Sequence, residues 1–167
     1  MNDSVNFRKV LGNYPTGVCV VTSTEEDGKP VGMSVGTFTS VSLDPPLVAF
    51  LPDRRSSTWQ KIHQTGRFCV NVLGDHQEAI SRQFATPAVD KFIGIPHRLS
   101  DMGSPIFDGV VAWIDCEVEA VHEAGDHYIA IGKVVALGAE DPAQPLLYHK
   151  GIYSQVSPIP MLNVSSG

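Results

Sequence analysis

Residues 114–120 read IDCEVEA: Ile114, Cys116, Val118 and Ala120 alternate with Asp115, Glu117 and Glu119. A period of two puts every apolar side chain on one face and every carboxylate on the other. This is the pattern of a half-buried strand in an antiparallel sheet, with the acidic face expected in solvent. A helix would scatter the same residues around its circumference, and a parallel strand would be apolar on both faces. The segment decides for a mainly β protein.

Outward from it the same signature repeats. Residues 123–126, EAGD, turn the chain into HYIAIGKVVALG, residues 127–138. Upstream, TGVCVVTST (16–24) meets VGMSV (31–35) across Asp27-Gly28, a strong hairpin signal. TFTSVSL (37–43), LVAFL (47–51) and RFCVNVL (67–73) are short, rich in β-branched and aromatic residues, and bounded by turn residues. PLLYH (145–149) and IYSQV (152–156) flank Lys150-Gly151. Helical signals are few. STWQKIHQTG (57–66) has a hydroxyl cap, Trp59 and Ile62 three apart, and Gly66 as a stop. DHQEAISRQFA (75–85) carries Asp75 at the expected cap with Glu78 three residues on, and residues 7–11 predict a first helical turn. Roughly six to eight strands with few helices favour a closed antiparallel barrel, because closure removes exposed edges. No G-x-G-x-x-G follows a strand, which argues against a doubly wound nucleotide fold.

A chain of 167 residues, 43% apolar and 18% charged, fits one domain with a sizeable core, expected to run over residues 1–167. A net charge of -6 argues against a nucleic-acid partner, which would require a basic face. Neither a signal peptide nor a membrane span is expected. Cys19, Cys69 and Cys116 lie far apart in apolar segments, which predicts reduced core thiols in a cytoplasmic protein. His122 and His127 flank the EAGD turn, where a hairpin would face them across it. Two histidines make an incomplete metal site, so no metal is expected. No G-x-S-x-G supports a hydrolase.

Two stretches carry ligand chemistry. DRRSSTWQKIHQ (53–64) places Arg54, Arg55, Ser56, Ser57 and Thr58 directly ahead of a helix. Free backbone N–H groups, hydroxyls and guanidinium forks together suit a phosphate; an ordinary N-cap with solvated arginines explains them as well. GMSVGTFTSVSLDPPLVAFLP (32–52) is filled with Ser34, Gly36, Thr37, Thr39, Ser40 and Ser42. Small side chains let a flat ligand approach the backbone, and a tightly packed strand pair with a bulge at Gly36 is the alternative.

Taken in order, YPTGVCVVTS (14–23), GMSVGTFTSVSLDPPLVAF (32–50), the Ser-rich turn before Trp59, FCVNVL (68–73), SRQFA (81–85), GDHYIAIGKV (125–134) and PLLYHKGIY (145–153) resemble the small-component flavin reductases. The resemblance spans roughly residues 7–156. It implies a closed antiparallel six-stranded Greek-key split β-barrel with short flanking helices, a homodimer, and FMN or FAD reduced by NADH or NADPH. It also implies a flavin-dependent monooxygenase as the partner that receives the reduced flavin. By the same resemblance, Met33, Ser34, Val35, Thr37 and Ser40 line the flavin edge. Ser56, Ser57 and Thr58 hold its phosphate, with Arg54 or Arg55 assisting. Ser81, Arg82 and Phe84 form a second flank. His127 lies near the nicotinamide as the catalytic histidine, and Tyr148 and Tyr153 border that pocket. Gly36 stands where many relatives carry Asn or Ser, which leaves flavin-edge bonding and the choice of FMN or FAD open. A flavin-binding barrel without turnover is the alternative.

Overall fold

The computed structural model describes residues 3–140 and 142–160; the ends of the expected domain, and residue 141, lie outside the described residues. The chain begins with helix α1 (Ser4–Leu11), which starts earlier than residues 7–11 because the Asp3 carboxylate caps it, accepting from Val5 N at 3.0 Å. Strands β1 (Thr16–Gly17), β2 (Cys19–Thr24), β3 (Pro30–Val35), β4 (Thr39–Leu43) and β5 (Pro46–Phe50) follow. Helix α2 (Ser57–Thr65) leads into β6 (Arg67–Val72), and helix α3 (Glu78–Ala85) into β7 (His97–Leu99) and β8 (Pro105–Phe107). The long strands β9 (Ala112–Ala124) and β10 (His127–Ala139) form a hairpin, and β11 (Leu147–His149) and β12 (Ile152–Ser154) end the described chain.

The main sheet has seven strands in the order β3-β2-β6-β9-β10-β5-β4, every neighbouring pair antiparallel. Its two outermost strands, β3 and β4, are joined by residues 36–38 alone. Such a link reaches at most about 15 Å, whereas the edges of a flat seven-stranded sheet lie roughly 29 Å apart. The sheet must therefore curl until its edges approach. The ladder does not close: among the described residues no pairing joins β3 to β4. The mainly β fold with a few helices is as expected; the sheet is a curled one of seven strands, and among the described residues hydrogen bonds do not close it into the expected six-stranded barrel. Residues 36–38 leave the ladder there, and Thr37 Oγ1 accepts instead from Leu51 N at 2.9 Å.

Curling gives the sheet an inner and an outer face, each with its own core. Val21, Val31, Val35, Phe50, Phe68, Val70, Cys116 and Ala130 meet inside, with Trp59 and Ile62 of α2 plugging the end. Phe50 packs edge-on against Trp59 and Phe68 at 5.4 and 5.1 Å between centroids. Burying Trp59 and Ile62 stabilises α2 by about 2–3 kcal/mol each, which a nine-residue helix needs because it is marginal alone. Ser56 caps it, accepting from Trp59 N at 3.1 Å, and Gly66 ends it at φ 69°. Outside, α3 and the segment after it cover Val18, Val20, Cys69 and Leu73 with Phe84, Phe92, Ile106 and Phe107.

Two local expectations change. The turn before α3 is a tight 3-10 turn, Asp75–Gln77, in which Gln77 Oε1 accepts from Gly74 N at 2.9 Å. Asp75 is not the cap: its backbone N–H is engaged by Gln144 O at 2.8 Å, and its carboxylate accepts from Gln155 at 3.3 Å. Asp115 does not face solvent as Glu117 and Glu119 do. It is 1% exposed, because the outer face of β9 is covered by the turn between β7 and β8. Thr22 and Asn71 hold that segment down through bonds of 2.6 and 3.2 Å to Pro105 O.

Candidate functional site

Among the described residues strand β3 is paired on one side only, by β2. Its alternation sends Val31, Met33 and Val35 into the inner core and leaves Gly32 and Ser34 toward α3 on the outer face. Two cavities open along β3. The first, about 540 Å³, lies at its C-terminal end and is lined by Ser34, Val35, Gly36, Ser81, Arg82, Tyr148 and Tyr153 among others. The second, about 290 Å³, lies at the Pro30 end, between Ser57, Thr58 and Lys61 of α2 and residues 88–93. Between them Gly32 meets the Phe84 ring so closely that a Cβ would stand 2.8 Å from it.

The first cavity is built on a chain of hydroxyls. Ser34 Oγ lies 3.2 Å from Ser81 Oγ, which lies 2.8 Å from Tyr153 Oη. The Tyr153 ring is held on both sides: Tyr148 packs against it at 5.2 Å, and the Arg82 guanidinium lies 4.8 Å from its centroid. Glu78 fixes Arg82 through bonds of 2.9 and 2.7 Å to one carboxylate oxygen, and this pairing raises the guanidinium pKa. Gly36 is explained by close approach, since a Cβ there would stand 2.9 Å from Thr16 Oγ1.

The structure divides the remaining expected site residues. Ser34, Ser81, Arg82, Tyr148 and Tyr153 share one cavity; Ser57 and Thr58 share the other with Lys29, Lys61 and Lys91. Val35 lines the first cavity while its side chain packs inside, and Met33 packs inside as well. Phe84 is a buried core ring beneath β3, not a wall of either cavity. Thr37 bonds Leu51, and exposed Ser40 stands opposite Val48 on β4; neither lines the two cavities. Ser56 spends its hydroxyl on the cap. Arg54 turns to Glu123 at 3.1 Å, with its guanidinium 5.4 Å from the Tyr128 ring centroid, and Arg55 turns to Asp53 at 3.1 Å. Bonding from Arg55 holds the Asp53 carboxyl down at about 2. Lys29 and Lys61 were missed because they come from separate segments. Only Lys61 had a signal, lying three residues after Thr58 on one helix face.

His127 begins β10 beside this arginine cluster. Its Nδ1 lies 2.7 Å from Asp126 Oδ1, which lowers the Asp126 pKa and leaves Nε2 outward on a 43% exposed side chain. Tyr128 N to Pro52 O at 2.9 Å and Arg54 N to Asp126 O at 3.0 Å bind this turn to the loop ahead of α2. One chain therefore does not bring His127 into the cavity of Tyr148 and Tyr153. Nor does it face His122, which pairs with Ile129 while His127 pairs with Ala124. Among the described residues no three His, Cys, Asp or Glu side chains gather as metal ligands. The three cysteines are free and buried, and burial pushes the Cys19 and Cys116 thiols up to about 12.

A planar, partly polar ring with an anionic tail fits this arrangement: hydroxyls and aromatic faces at one end of β3, a helix start and lysines at the other. Residues 11–157 match the model of the flavin reductase like domain. A flavin reductase of Pseudomonas putida is 60% identical over 147 residues, 88% of this chain and 86% of that protein. Nitrilotriacetate monooxygenase component B from Mycobacterium thermoresistibile superposes with a TM-score of 0.89 at 42% identity, over 99% of this chain and 96% of that one. The NADH:FAD oxidoreductase SgcE6 of Streptomyces globisporus C-1027, solved with NAD and FAD fragments, gives 0.88 at 35% identity over 93% and 94% of the two chains. Sequence, topology and cavity chemistry agree, and the chain belongs to the flavin reductase-like family.

Proposed function

We propose that the protein is an NAD(P)H:flavin oxidoreductase that reduces FMN or FAD and passes the reduced flavin to a partner monooxygenase. The observation that carries the reading is the pair of cavities along β3, with hydroxyls and aromatic rings at one end and Ser57, Thr58 and lysines at the other. The partner is supported by the relative named as a monooxygenase component.

When bound, the flavin supplies a ring that accepts hydride from the nicotinamide. The chain's part is to bind, orient and exclude water. Ser34, Ser81 and Tyr153 present hydroxyls to the polar edge of the ring, and Tyr148 with the Arg82–Tyr153 stack screens it from solvent. Ser57, Thr58 and the first turn of α2 hold the phosphate end. His127, its Nδ1 fixed by Asp126, offers Nε2 to the nicotinamide carboxamide. The step needs two rings at near-contact distance more than it needs an acid.

The working unit is a homodimer with cytoplasmic location, and the curled sheet is the family's split barrel. Support for the dimer comes from the separation of His127 and Tyr148 within one chain, and from exposed Val5, Phe7, Val10 and Leu11 on α1. Three free thiols fit a reducing compartment. Mixing the protein with each flavin and each reduced nicotinamide, and following nicotinamide absorbance, tests the activity. Oxidation that depends on flavin is expected. Retention of flavin without nicotinamide oxidation would overturn the enzyme in favour of a binding module.

A further inference from the structure

Among the described residues, Arg82 is the one charged side chain lining the first cavity. Its charge is answered from behind. Glu78, one turn earlier on α3, accepts from Arg82 Nε at 2.9 Å and Nη2 at 2.7 Å with a single oxygen, and stays out of the lining itself. This pairing uses the edge of the guanidinium and leaves its face to the Tyr153 ring, 4.8 Å from the centroid. Helix α3 thus holds Tyr153 by two consecutive residues, Ser81 at the hydroxyl and Arg82 at the ring.

The Glu78 and Arg82 side chains are 45% and 66% exposed, and an i, i+4 pair so exposed adds little to stability. It acts on the charge of the cavity instead. Hydride carries a negative charge, so a neutral flavin ring that accepts it becomes an anion while the nicotinamide becomes a cation. An uncompensated guanidinium in the wall would hold the reduced ring more tightly than the oxidised one, and retain a product that has to leave.

We propose that Glu78 is a positioning residue that holds Arg82 on Tyr153 and offsets its charge, so that the cavity favours reduced flavin little over oxidised flavin. The inference rests on the reading that the flavin ring occupies the first cavity. A purely structural role for Glu78 is the alternative, since it is the acid in the first turn of α3 and complements the helix dipole there. Losing that role would weaken both redox forms alike.

The test is the dissociation constants of oxidised and dithionite-reduced FMN and FAD, read by anaerobic equilibrium dialysis. The anionic tail is the same in both redox forms and cancels in their ratio. Unsubstituted protein should bind the two forms within about threefold of each other. Glu78→Gln should raise the preference for reduced flavin by about three- to fivefold, the scale of one exposed charge pair, and added salt should shrink the gain. Glu78→Asp keeps the charge and should stay within about twofold of the unsubstituted ratio. Arg82→Gln should show no gain, and the double variant Glu78→Gln/Arg82→Gln should match it. An unchanged ratio in Glu78→Gln, equal weakening of both forms, or a gain that persists in the double variant overturns the inference and leaves the flavin reading standing. Failure of the unsubstituted protein to bind either flavin overturns both.

Discussion

Removing the Ser81–Tyr153 hydrogen bond tests whether the first cavity is held together as described. Tyr153→Phe deletes one hydroxyl and keeps the ring, so the Tyr148 edge contact and the Arg82 stack survive. A neutral hydrogen bond contributes about 0.5–1.5 kcal/mol net, and Tyr153 is only half buried, so the loss should be about 0.5–1 kcal/mol. Ser81 is buried and bonded on both sides; Ser81→Ala strands two partners and should cost about 1–2 kcal/mol. Once Ser81 is gone, Tyr153→Phe has little left to lose. The double variant should match Ser81→Ala, a coupling of about 0.5–1 kcal/mol. Urea unfolding followed by circular dichroism gives the stabilities, and each kcal/mol should appear as about 2–4 °C in Tm. Flavin affinity should fall in all three variants. Strict additivity of the two single losses would refute the hydroxyl chain.

Gly132→Ala would place a Cβ 2.4 Å from the Phe68 ring and 3.0 Å from Cys116 Cβ in the inner core; a loss of about 1–3 kcal/mol is expected by thermal unfolding, and an unchanged Tm would mean the core has slack there. Burial raises the Asp115 pKa above the usual carboxylate range. Its folded state is therefore favoured while the carboxyl is protonated, below the unfolded value of about 3.9, and loses that advantage as pH rises through the folded value. Asp115→Asn should melt higher than the unsubstituted chain at neutral pH, with the gap closing in acid; a gap that widens in acid contradicts this. His127→Ala should raise KM for the nicotinamide while flavin affinity persists, and the reverse pattern in steady-state kinetics and flavin titration would remove His127 from the nicotinamide site.

Local pattern made the strands and α2 legible, because alternation and caps act within a few residues. The alternation around Cys116 gave both faces of β9 correctly, yet Asp115 was misplaced, since the segment that buries it returns from the β7–β8 turn. How the sheet edges meet was not legible for the same reason. Nothing in residues 36–38 announces that Thr37 will bond Leu51 in place of a ladder between β3 and β4. At the site, Ser34 and Ser81 stand 47 residues apart, and no local pattern announces their meeting. The arginines of DRRSST looked free in sequence, but Glu123, also distant, takes one of them.

The central claim is that flavin lies along β3, and a crystal structure of the protein with FAD tests it most directly. Density should run from Ser34, Ser81 and Tyr153 past Phe84 to Ser57 and Thr58. A flavin seated on the inner face of the sheet, or away from β3 altogether, would contradict the account.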